Sequence, residues 1–471
     1  MKRLYNLITD QQFNRCNKPH KYRKLLFALC FFHSILLERK KFLELGWNIV
    51  YGFNDSDFEV SENLLSIYLE EYENTPWDAL KYLIAGVNYG GHVTDDWDRR
   101  LIITYINDYF CEQAIAAPYF KLSSLLNYYI PKDGDIGSYK EFIQMLPTMD
   151  HPEAFGQHPN ADIASQITEA RTLFETLLSL QPQITAVEGK GQTREEKVLE
   201  LSLDVRVKIP EDLDYEGTRL MLSEEPSPLN VVLLQEIQRY NYLLRTIRSS
   251  LVELEKGIRG LVVMSTSLEE IFNSIYDARI PPVWEISYPS KKPLGAWTRD
   301  LVQRVEQFAR WAETAHPPVI FWISAFTFPT GFLTAVLQAS ARQNNVSVDS
   351  LSWEFIVSTV DDNNLLDPPK DGVWVKGMFL EGAGWDKRNA CLVDAEPMQL
   401  VCGMPTIHFK PVENKKKVGK GMYSCPCYYF SKRAGNSLHT SFVVGIDLRS
   451  GEKTPDQWIK RGAALLMSLD Y

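Results

Sequence analysis

The chain has 471 residues, of which 45% are hydrophobic and 23% are charged. This length fits about two to four domains with substantial cores, and the composition excludes an intrinsically disordered chain. A formal net charge of −10 speaks against non-specific binding to nucleic acid or to any other polyanion.

The most apolar run covers residues 25–37 and is flanked by Lys and Arg. It is too short to cross a bilayer, which takes roughly 20 residues, so we expect a buried helix and no membrane partner. We interpret His33 within it as a hydrogen-bonded core histidine, with a ligand role as the alternative. The cysteines are sparse and odd in number, and residues 1–16 lack the apolar core of a secretory signal, which favours a reduced, intracellular compartment.

Residues 20–117 are predicted to form a small four-helix bundle that follows a lead-in over residues 1–19. The first helix is expected to cover residues 22–45. The later helices are expected to start after Asn54, at the N-cap and proline pair Thr75-Pro76, and near Thr94.

The start of the fourth helix carries a dense polar motif made of Asp95, Asp96, Trp97, Asp98, Arg99 and Arg100. Carboxylates in a first turn favour the positive end of the helix dipole, so we interpret the three aspartates as a cap. A metal site is the alternative. Trp97 is predicted to pack back into the bundle as a large apolar anchor.

Residues 118–162 are rich in Pro, Asp, His and Gly, which predicts an ordered but irregular connector. A helical domain is expected over residues 163–365. Its first helix has one apolar face at four-three spacing, formed by Ile163, Ile167, Ala170, Phe174 and Leu177. A capping box, Thr193 to Glu196, opens the next helix.

The longest periodic pattern follows. Apolar residues recur at spacings of four and three without a break, which predicts one long helix from about Pro228 to Leu261. We expect this helix to pack inside a local bundle, covered by the helices that bear Ile163 to Leu177 and Leu301 to Trp311, and a two-stranded coiled coil is the alternative. The stripe consists of Leu233, Ile237, Tyr240, Leu244, Ile247, Leu251, Leu254, Ile258 and Leu261.

Residues 366–471 contain short alternating or β-branched runs separated by Gly, Pro, Asn and Lys. This pattern predicts a C-terminal all-β part, a small antiparallel sheet or barrel, in an otherwise mainly α protein. The basic loop of residues 415–420 is interpreted as a solvated hairpin tip.

No catalytic, cofactor-binding or metal-binding residue is predicted. A phosphate-binding loop needs G-x-x-x-x-G-K-[ST], and the Gly-Lys-Gly fragments at residues 189–191 and 419–421 lack both this spacing and the Ser or Thr. Cys402, His408, Cys425 and Cys427 are conceivable zinc ligands, but zinc pairs usually occur as C-x₂₋₄-C. A zinc enzyme built on these cysteines is therefore only a minor alternative.

Several long segments resemble dynein heavy chains. They include residues 88–100 (NYGGHVTDDWDRR), residues 24–58, and PPVWEISYPSKKPLGAWTRDL, FWISAFTFPTGFLTAVLQASAR and PDQWIKRGAALL further along the chain. The matches run in the family's order along nearly the whole chain. Residues 21–42 look closest to axonemal, inner-arm heavy chains.

The resemblance implies that the four-helix unit is the small lid of the sixth AAA+ module. It also implies that residues after the connector form the dynein C-terminal domain, with a helical part and a β-barrel, lying against one face of the motor ring. The parent heavy chain would be an ATP-driven, minus-end-directed microtubule motor of the axoneme of cilia and flagella, within the cytoplasmic cytoskeleton.

The same resemblance assigns ATP and Mg²⁺ to AAA+ modules outside these 471 residues, so this chain alone is expected to be no enzyme. The implied partners are the rest of the motor ring and, through the parent complex, the dynein intermediate, light intermediate and light chains. Microtubules would be bound only through the stalk. A free-standing truncated interaction module that binds dynein subunits or axonemal proteins is the alternative function.

Overall fold

The structure is a computed structural model that describes residues 1–125, 127–149, 151–179, 193–224, 227–415, 419–435 and 441–469. Helices dominate as far as residue 344, and strands dominate the part that follows. The protein is therefore mainly helical with a β-rich C-terminal part, as the sequence predicts.

The N-terminal part is a helical bundle. Its central helix carries the apolar run and is buried along most of its length. None of the described helices is both long and apolar enough to span a membrane. The helices are α1 (Lys2–Leu7), α2 (Asp10–Phe13), α3 (Pro19–Glu38), α4 (Leu43–Gly46), α5 (Asp55–Glu71), α6 (Trp77–Lys81), α7 (Asp96–Tyr109) and α8 (Glu112–Ala116).

The predicted starts of the second and fourth bundle helices are confirmed, because Asn54 caps α5 and Asp95 caps α7. The third helix begins later than predicted, at Trp77, and continues as a π-helical stretch, Tyr82–Asn88. His33 is a core histidine: its Nδ1 lies 2.7 Å from the Tyr89 hydroxyl, and burial lowers its pKa to about 4.

The first predicted helix is interrupted. α3 ends at Glu38, and a 3₁₀ turn, Arg39–Phe42, leads into α4. The break follows from Arg39, whose buried guanidinium donates hydrogen bonds to the carbonyls of Leu45 and Gly46. Residues 39–46 wind around this charge, which a continuous helix could not do.

The connector is more regular than predicted. β1 (Phe120–Lys121) and β2 (Tyr129–Ile130) pair antiparallel, and α9 (Ile136–Met145) follows, capped by Asp135. Tyr139 of α9 is buried against Phe13 and Phe27. Turn-forming residues on both sides of α9 mask this short helix in the sequence.

The next part of the protein is helical. The capping box of Thr193 and Glu196 is present at the start of its second helix. The helices are α10 (Asn160–Ser179), α11 (Arg194–Lys208), α12 (Tyr215–Met221), α13 (Pro228–Ile258), α14 (Thr266–Tyr276), α15 (Pro282–Glu285), α16 (Leu294–Thr314) and α17 (Pro329–Asn344).

The long helix is α13, and its apolar stripe is buried from Leu233 to Leu254. α11, α12 and α14 to α17 pack around it, so α16 covers the stripe as predicted. Two expectations are wrong. Leu261 lies beyond the end of α13 and is 72% exposed. α10 is not among the helices packed against α13, because it runs along the 3₁₀ turn Arg39–Phe42 of the bundle instead.

The strands form two larger sheets. The first has the order β3-β5-β10-β4, the second has the order β12-β11-β13-β6-β9, and β7 pairs with β8. The short helix α18 (Pro455–Arg461) precedes the last strand. The strands are β3 (Ile320–Trp322), β4 (Leu351–Val357), β5 (Val373–Lys376), β6 (Phe379–Glu381), β7 (Gly384–Asp386), β8 (Cys391–Val393), β9 (Val401–Gly403), β10 (Ile407–Glu413), β11 (Met422–Tyr428), β12 (Phe442–Arg449) and β13 (Ala464–Leu466).

The predicted antiparallel barrel needs correction. The sheets that the described residues form are open, and β3 with β5 and β11 with β13 run parallel. β3 and β4 come from the stretch predicted to be helical. β4 and β12 lie side by side without strand pairing, bridged by Lys415, whose ammonium bonds to Asp447 at 2.5 Å and lies over the Phe355 ring.

Lys415 is therefore part of the seam between the two sheets and not simply solvated. Lys416, Lys417 and Val418 of the predicted basic tip lie outside the described residues.

Candidate interdomain interface

The N-terminus of α7 holds the aspartates in three different environments. The Asp95 carboxylate accepts hydrogen bonds from the N–H groups of Trp97 at 3.0 Å and Asp98 at 2.9 Å. Asp96 is exposed and pairs with Arg99 at 3.3 Å. The three carboxylates have different partners, and no metal-binding group of three or more His, Cys, Asp or Glu occurs among the residues that the structure describes.

Asp98 is the buried member of the motif. Its carboxylate accepts hydrogen bonds from the N–H groups of Asn48 at 3.1 Å and Ile49 at 3.2 Å, and from the Tyr51 hydroxyl at 2.8 Å. Burial raises the pKa of Asp98 to about 6, although these hydrogen bonds act in the opposite direction. Asp98 thus fixes the segment after α4 to the first turn of α7.

Trp97 does not pack back into the bundle, so that prediction is wrong. Its ring is half-buried and lies 5.5 Å from the Phe442 ring of β12, in a cluster with Tyr428, Ala464 and Leu466. The Arg100 guanidinium stacks 4.4 Å from the centre of the indole. Trp97 therefore joins α7 to the C-terminal sheet.

The adjacent arginines have different partners. Arg99 donates to the Val93 carbonyl at 2.8 Å and stays within the bundle. Arg100 reaches the sheet, where it donates to the Ser424 carbonyl at 2.9 Å and to the Tyr423 hydroxyl at 3.3 Å. Only Arg100 of the two connects the bundle and the sheet.

Arg39 is the largest polar contribution that sequence reasoning missed. Its side chain is 0% exposed, and besides Leu45 and Gly46 it bonds to the Tyr105 hydroxyl at 2.7 Å and the carbonyls of Phe155 at 3.3 Å and Lys460 at 2.9 Å. One side chain thus joins the bundle, the connector and α18. In the sequence it sits in the basic run Arg39-Lys40-Lys41, which is typical of a solvated surface.

A second missed contact centres on Arg433 and Asn48. Arg433 is buried, pairs with Glu381 at 2.6 Å and donates to the Gly462 carbonyl at 2.9 Å. The Asn48 amide donates to Asp95 at 3.0 Å and to the Tyr428 hydroxyl at 2.8 Å. No local pattern distinguishes Asn48, because Tyr428 lies 380 residues away along the sequence.

Gly462 shows how closely the two parts approach. It has a φ of +66°, and a Cβ on it would lie 2.4 Å from the Leu45 carbonyl oxygen. Nearby, Lys460 of α18 forms an ion pair with Asp108 of α7. Backbone therefore meets backbone at this point, which requires glycine.

The conceivable zinc ligands are not brought together. Cys425 and Cys427 are buried in β11, and burial raises the pKa of Cys425 to about 12. His408 lies on the other sheet, 2.8 Å from the Asp371 carbonyl, and Cys402 lies on β9.

Comparison with known proteins follows the same division of the molecule. Residues 22–161 match the family described as the dynein heavy chain AAA lid domain, and residues 167–467 match the family described as the C-terminal domain of the dynein heavy chain. The first match covers the bundle and all but the last residue of the connector, and the second begins at residue 167.

Three relatives illustrate the similarity. Human dynein axonemal heavy chain 2 is 75% identical over all of this chain and 11% of its own length. The dynein-1-beta heavy chain of the flagellar inner arm I1 complex from Chlamydomonas reinhardtii is 52% identical over 99% of this chain and 10% of its own length. Dynein axonemal heavy chain 12 of Rattus norvegicus is 40% identical over 98% of this chain and 15% of its own length. The chain thus spans about a tenth of the length of the first two of these relatives.

Proposed function

Because this chain belongs to the dynein heavy chain family, with its matches among axonemal members, we propose that it braces the motor ring of an axonemal dynein. In this proposal the helical bundle is the lid of the sixth AAA+ module. The C-terminal domain holds that lid in a fixed orientation, so that movement of the lid during the ATPase cycle is passed on to a larger rigid body.

One observation carries the proposal: the bundle and the C-terminal sheet are joined by buried polar contacts and not only by apolar packing. Arg39, Arg100 and Arg433 each bond across this boundary or organise residues that do. Directional hydrogen bonds from a buried guanidinium are lost if the partners shift by an ångström or two, and the uncompensated charge is then costly. Such an interface resists sliding.

The parent protein would be an ATP-driven, minus-end-directed microtubule motor of cilia and flagella. ATP and Mg²⁺ would bind to the other AAA+ modules, and microtubules to the stalk. The intermediate, light intermediate and light chains would associate through the parent complex. Similarity to the Chlamydomonas inner-arm heavy chain supports an inner-arm assignment.

The experiment is a substitution in the full-length heavy chain, Arg433→Gln, which removes the hydrogen bond to Asn48 of the bundle and also the contacts with Glu381 and Gly462 that hold the Arg433 side chain at the boundary. We expect a severalfold lower microtubule-stimulated ATPase rate and slower microtubule gliding. Arg245→Gln is the matched control, because Arg245 forms an exposed ion pair with Asp212. A folded Arg433→Gln motor with unchanged rates would contradict the bracing role.

A second experiment tests whether the 471-residue chain hydrolyses ATP by itself. We expect the purified protein to show no ATP hydrolysis above background, with or without microtubules. Hydrolysis at a rate that scales with the concentration of this protein would place an unrecognised ATPase site within it.

A further inference from the structure

An open surface pocket is formed by α13, the turn after α15 and the turn before α17. Its volume is about 440 Å³, and the buried side chains of Tyr240 and Leu243 are part of its lining. Three large apolar side chains also line it but are mostly exposed: Tyr242 at 67%, Ile286 at 62% and Phe328 at 52%. Single exposed apolar side chains are common on protein surfaces, whereas several that line one concavity mark a binding site.

Arg239 is the one charged residue among the described residues that line this pocket. Its Nη1 donates to the carboxylate of Glu236 and to the Thr327 hydroxyl, both at 3.0 Å. The guanidinium carbon lies 5.9 Å from the centre of the Phe328 ring. The side chain is 44% exposed, and its Nε and Nη2 have no acceptor among the described residues. Charged donors are therefore available to a ligand beside an apolar wall.

A buried carboxylate holds this arrangement in place. Glu236 is 1% exposed, and besides Arg239 it accepts hydrogen bonds from the N–H and the hydroxyl of Thr327, both at 2.9 Å. It offsets part of the charge of Arg239 but is itself inaccessible to a ligand. The Phe328 ring packs on Gly331 of α17, where a Cβ would lie 2.5 Å from the ring. The guanidinium and the ring are thus positioned before a partner binds, which lowers the entropic cost of binding.

We propose that this pocket binds the free C-terminus of a partner polypeptide whose last residue has a large apolar side chain. That side chain packs between Tyr242, Ile286 and Phe328, and the terminal carboxylate accepts hydrogen bonds from Nε and Nη2 of Arg239. The short distance between the guanidinium and the Phe328 ring favours a carboxylate and an apolar group that belong to the same residue. In an extended internal segment the side chain of the next residue points to the opposite side.

The test measures the binding of synthetic peptides to the unaltered 471-residue protein by saturation-transfer NMR. The probe is acetyl-Gly-Ser-Gly-Phe with a free terminal carboxylate, and the same peptide with a terminal amide is its matched control. A third peptide, acetyl-Gly-Ser-Phe-Glu-amide, carries the carboxylate on an internal type of side chain. We expect the free acid to bind with a dissociation constant on the order of 1 mM. Both amides should bind about fivefold more weakly, because the charge-assisted hydrogen bonds to the guanidinium are lost or misplaced.

Two variants test the role of the guanidinium and of the ring. Arg239→Gln should remove the preference for the free acid, whereas Arg245→Gln should keep it, because Arg245 is an exposed arginine of the same helix that does not line the pocket. Gly331→Ala should weaken the binding of the acid and of the amide alike, because its Cβ displaces the Phe328 ring.

A third variant tests the apolar wall. Ile286→Asp should abolish binding of the free acid, and Ile356→Asp is its control, because Ile356 is a 46% exposed isoleucine on β4. Equal binding of the acid and its amide, or a preference for the acid that Arg239→Gln retains, would overturn the proposal. Tighter binding of the glutamate peptide would also overturn it and assign the pocket to an internal acidic segment. The absence of binding by all three peptides to the unaltered protein would contradict any role of the pocket in binding a C-terminus.

Discussion

Helices α13 and α10 have the same kind of apolar pattern but different surroundings. In α13 the stripe from Leu233 to Leu254 is buried by neighbours from its own part of the molecule. In α10 the corresponding face is open, with Phe174 64% exposed and Ile167, Leu173 and Leu177 also exposed. Four-three spacing therefore predicts that a segment is helical, but it does not determine what packs against it.

Helix α7 provides the opposite case. Its first turn is among the most charged stretches in the sequence, yet Asp98 is buried there and Trp97 reaches the C-terminal sheet. A polar face became an interface because the partner backbone offers hydrogen-bond donors and acceptors to it. Substitutions in the three helices should differ in their effect on stability accordingly.

The largest effect is expected for Leu244→Ala in α13. Leu244 is 0% exposed, so its truncation leaves a cavity in the helical domain and should lower the free energy of unfolding by about 2–5 kcal/mol. Urea-induced unfolding measures the change. The matched control is Leu173→Ala in α10, where the same truncation occurs at an exposed position.

Sedimentation of a Leu244→Asp variant sharpens this result. A charge in a stripe covered within one chain should unfold a monomer. If the unaltered protein is instead a dimer that Leu244→Asp converts into folded monomers, then α13 forms a coiled coil between two chains.

Asp98 makes stability depend on pH. Its folded-state pKa of about 6 lies above the value near 3.9 that an aspartate has in an unfolded chain. The folded state therefore binds this proton more tightly than the unfolded state does. The resulting contribution to the free energy of unfolding is complete below about pH 4 and is lost as the pH rises through 6.

The measurement is the free energy of unfolding of the unaltered protein minus that of Asp98→Asn, determined between pH 4 and 7.5. We expect this difference to fall by up to about 3 kcal/mol as the pH rises. Asp96→Asn makes the same chemical change at an exposed site and serves as the control. A difference that stays constant across this range would mean that Asp98 is not desolvated.

Trp97→Ala should have an intermediate effect. The indole is half-buried and contacts Phe442 and Arg100, so about 1–3 kcal/mol of stability should be lost, less than for a fully buried tryptophan. Because these contacts join α7 to the sheet, limited proteolysis should release the two parts more readily. An unchanged digestion pattern together with unchanged stability would show that the indole does not hold them together.

The smallest effect is expected for Phe174→Ser in α10. A side chain that is mostly exposed contributes little to folding, so the change in the free energy of unfolding should be within about 0.5 kcal/mol. A loss above 2 kcal/mol would show that this face is covered in solution. That outcome would remove the contrast between α10 and α13.

The local elements could be predicted from short stretches of the sequence. The starts of α5, α7 and α11 follow from side chains that cap the first N–H groups of a helix, and such bonds span only two or three residues. The length of α13 and the positions of β5, β10, β11 and β12 follow from periodicity, which is also a local property. The resemblance to dynein heavy chains rests on long contiguous segments, so it could be identified without knowledge of the fold.

The contacts between remote surfaces could not be predicted in this way. Arg39 looks like part of a solvated basic run, and its carbonyl partners at Phe155 and Lys460 lie 116 and 421 residues away. β3 joins a sheet although α16 precedes it and α17 follows it in the sequence, and Trp97 packs against β12 and not against its own bundle. These outcomes depend on burial and hydrogen-bond geometry between remote segments, and neither property is encoded in the spacing of residues along one segment.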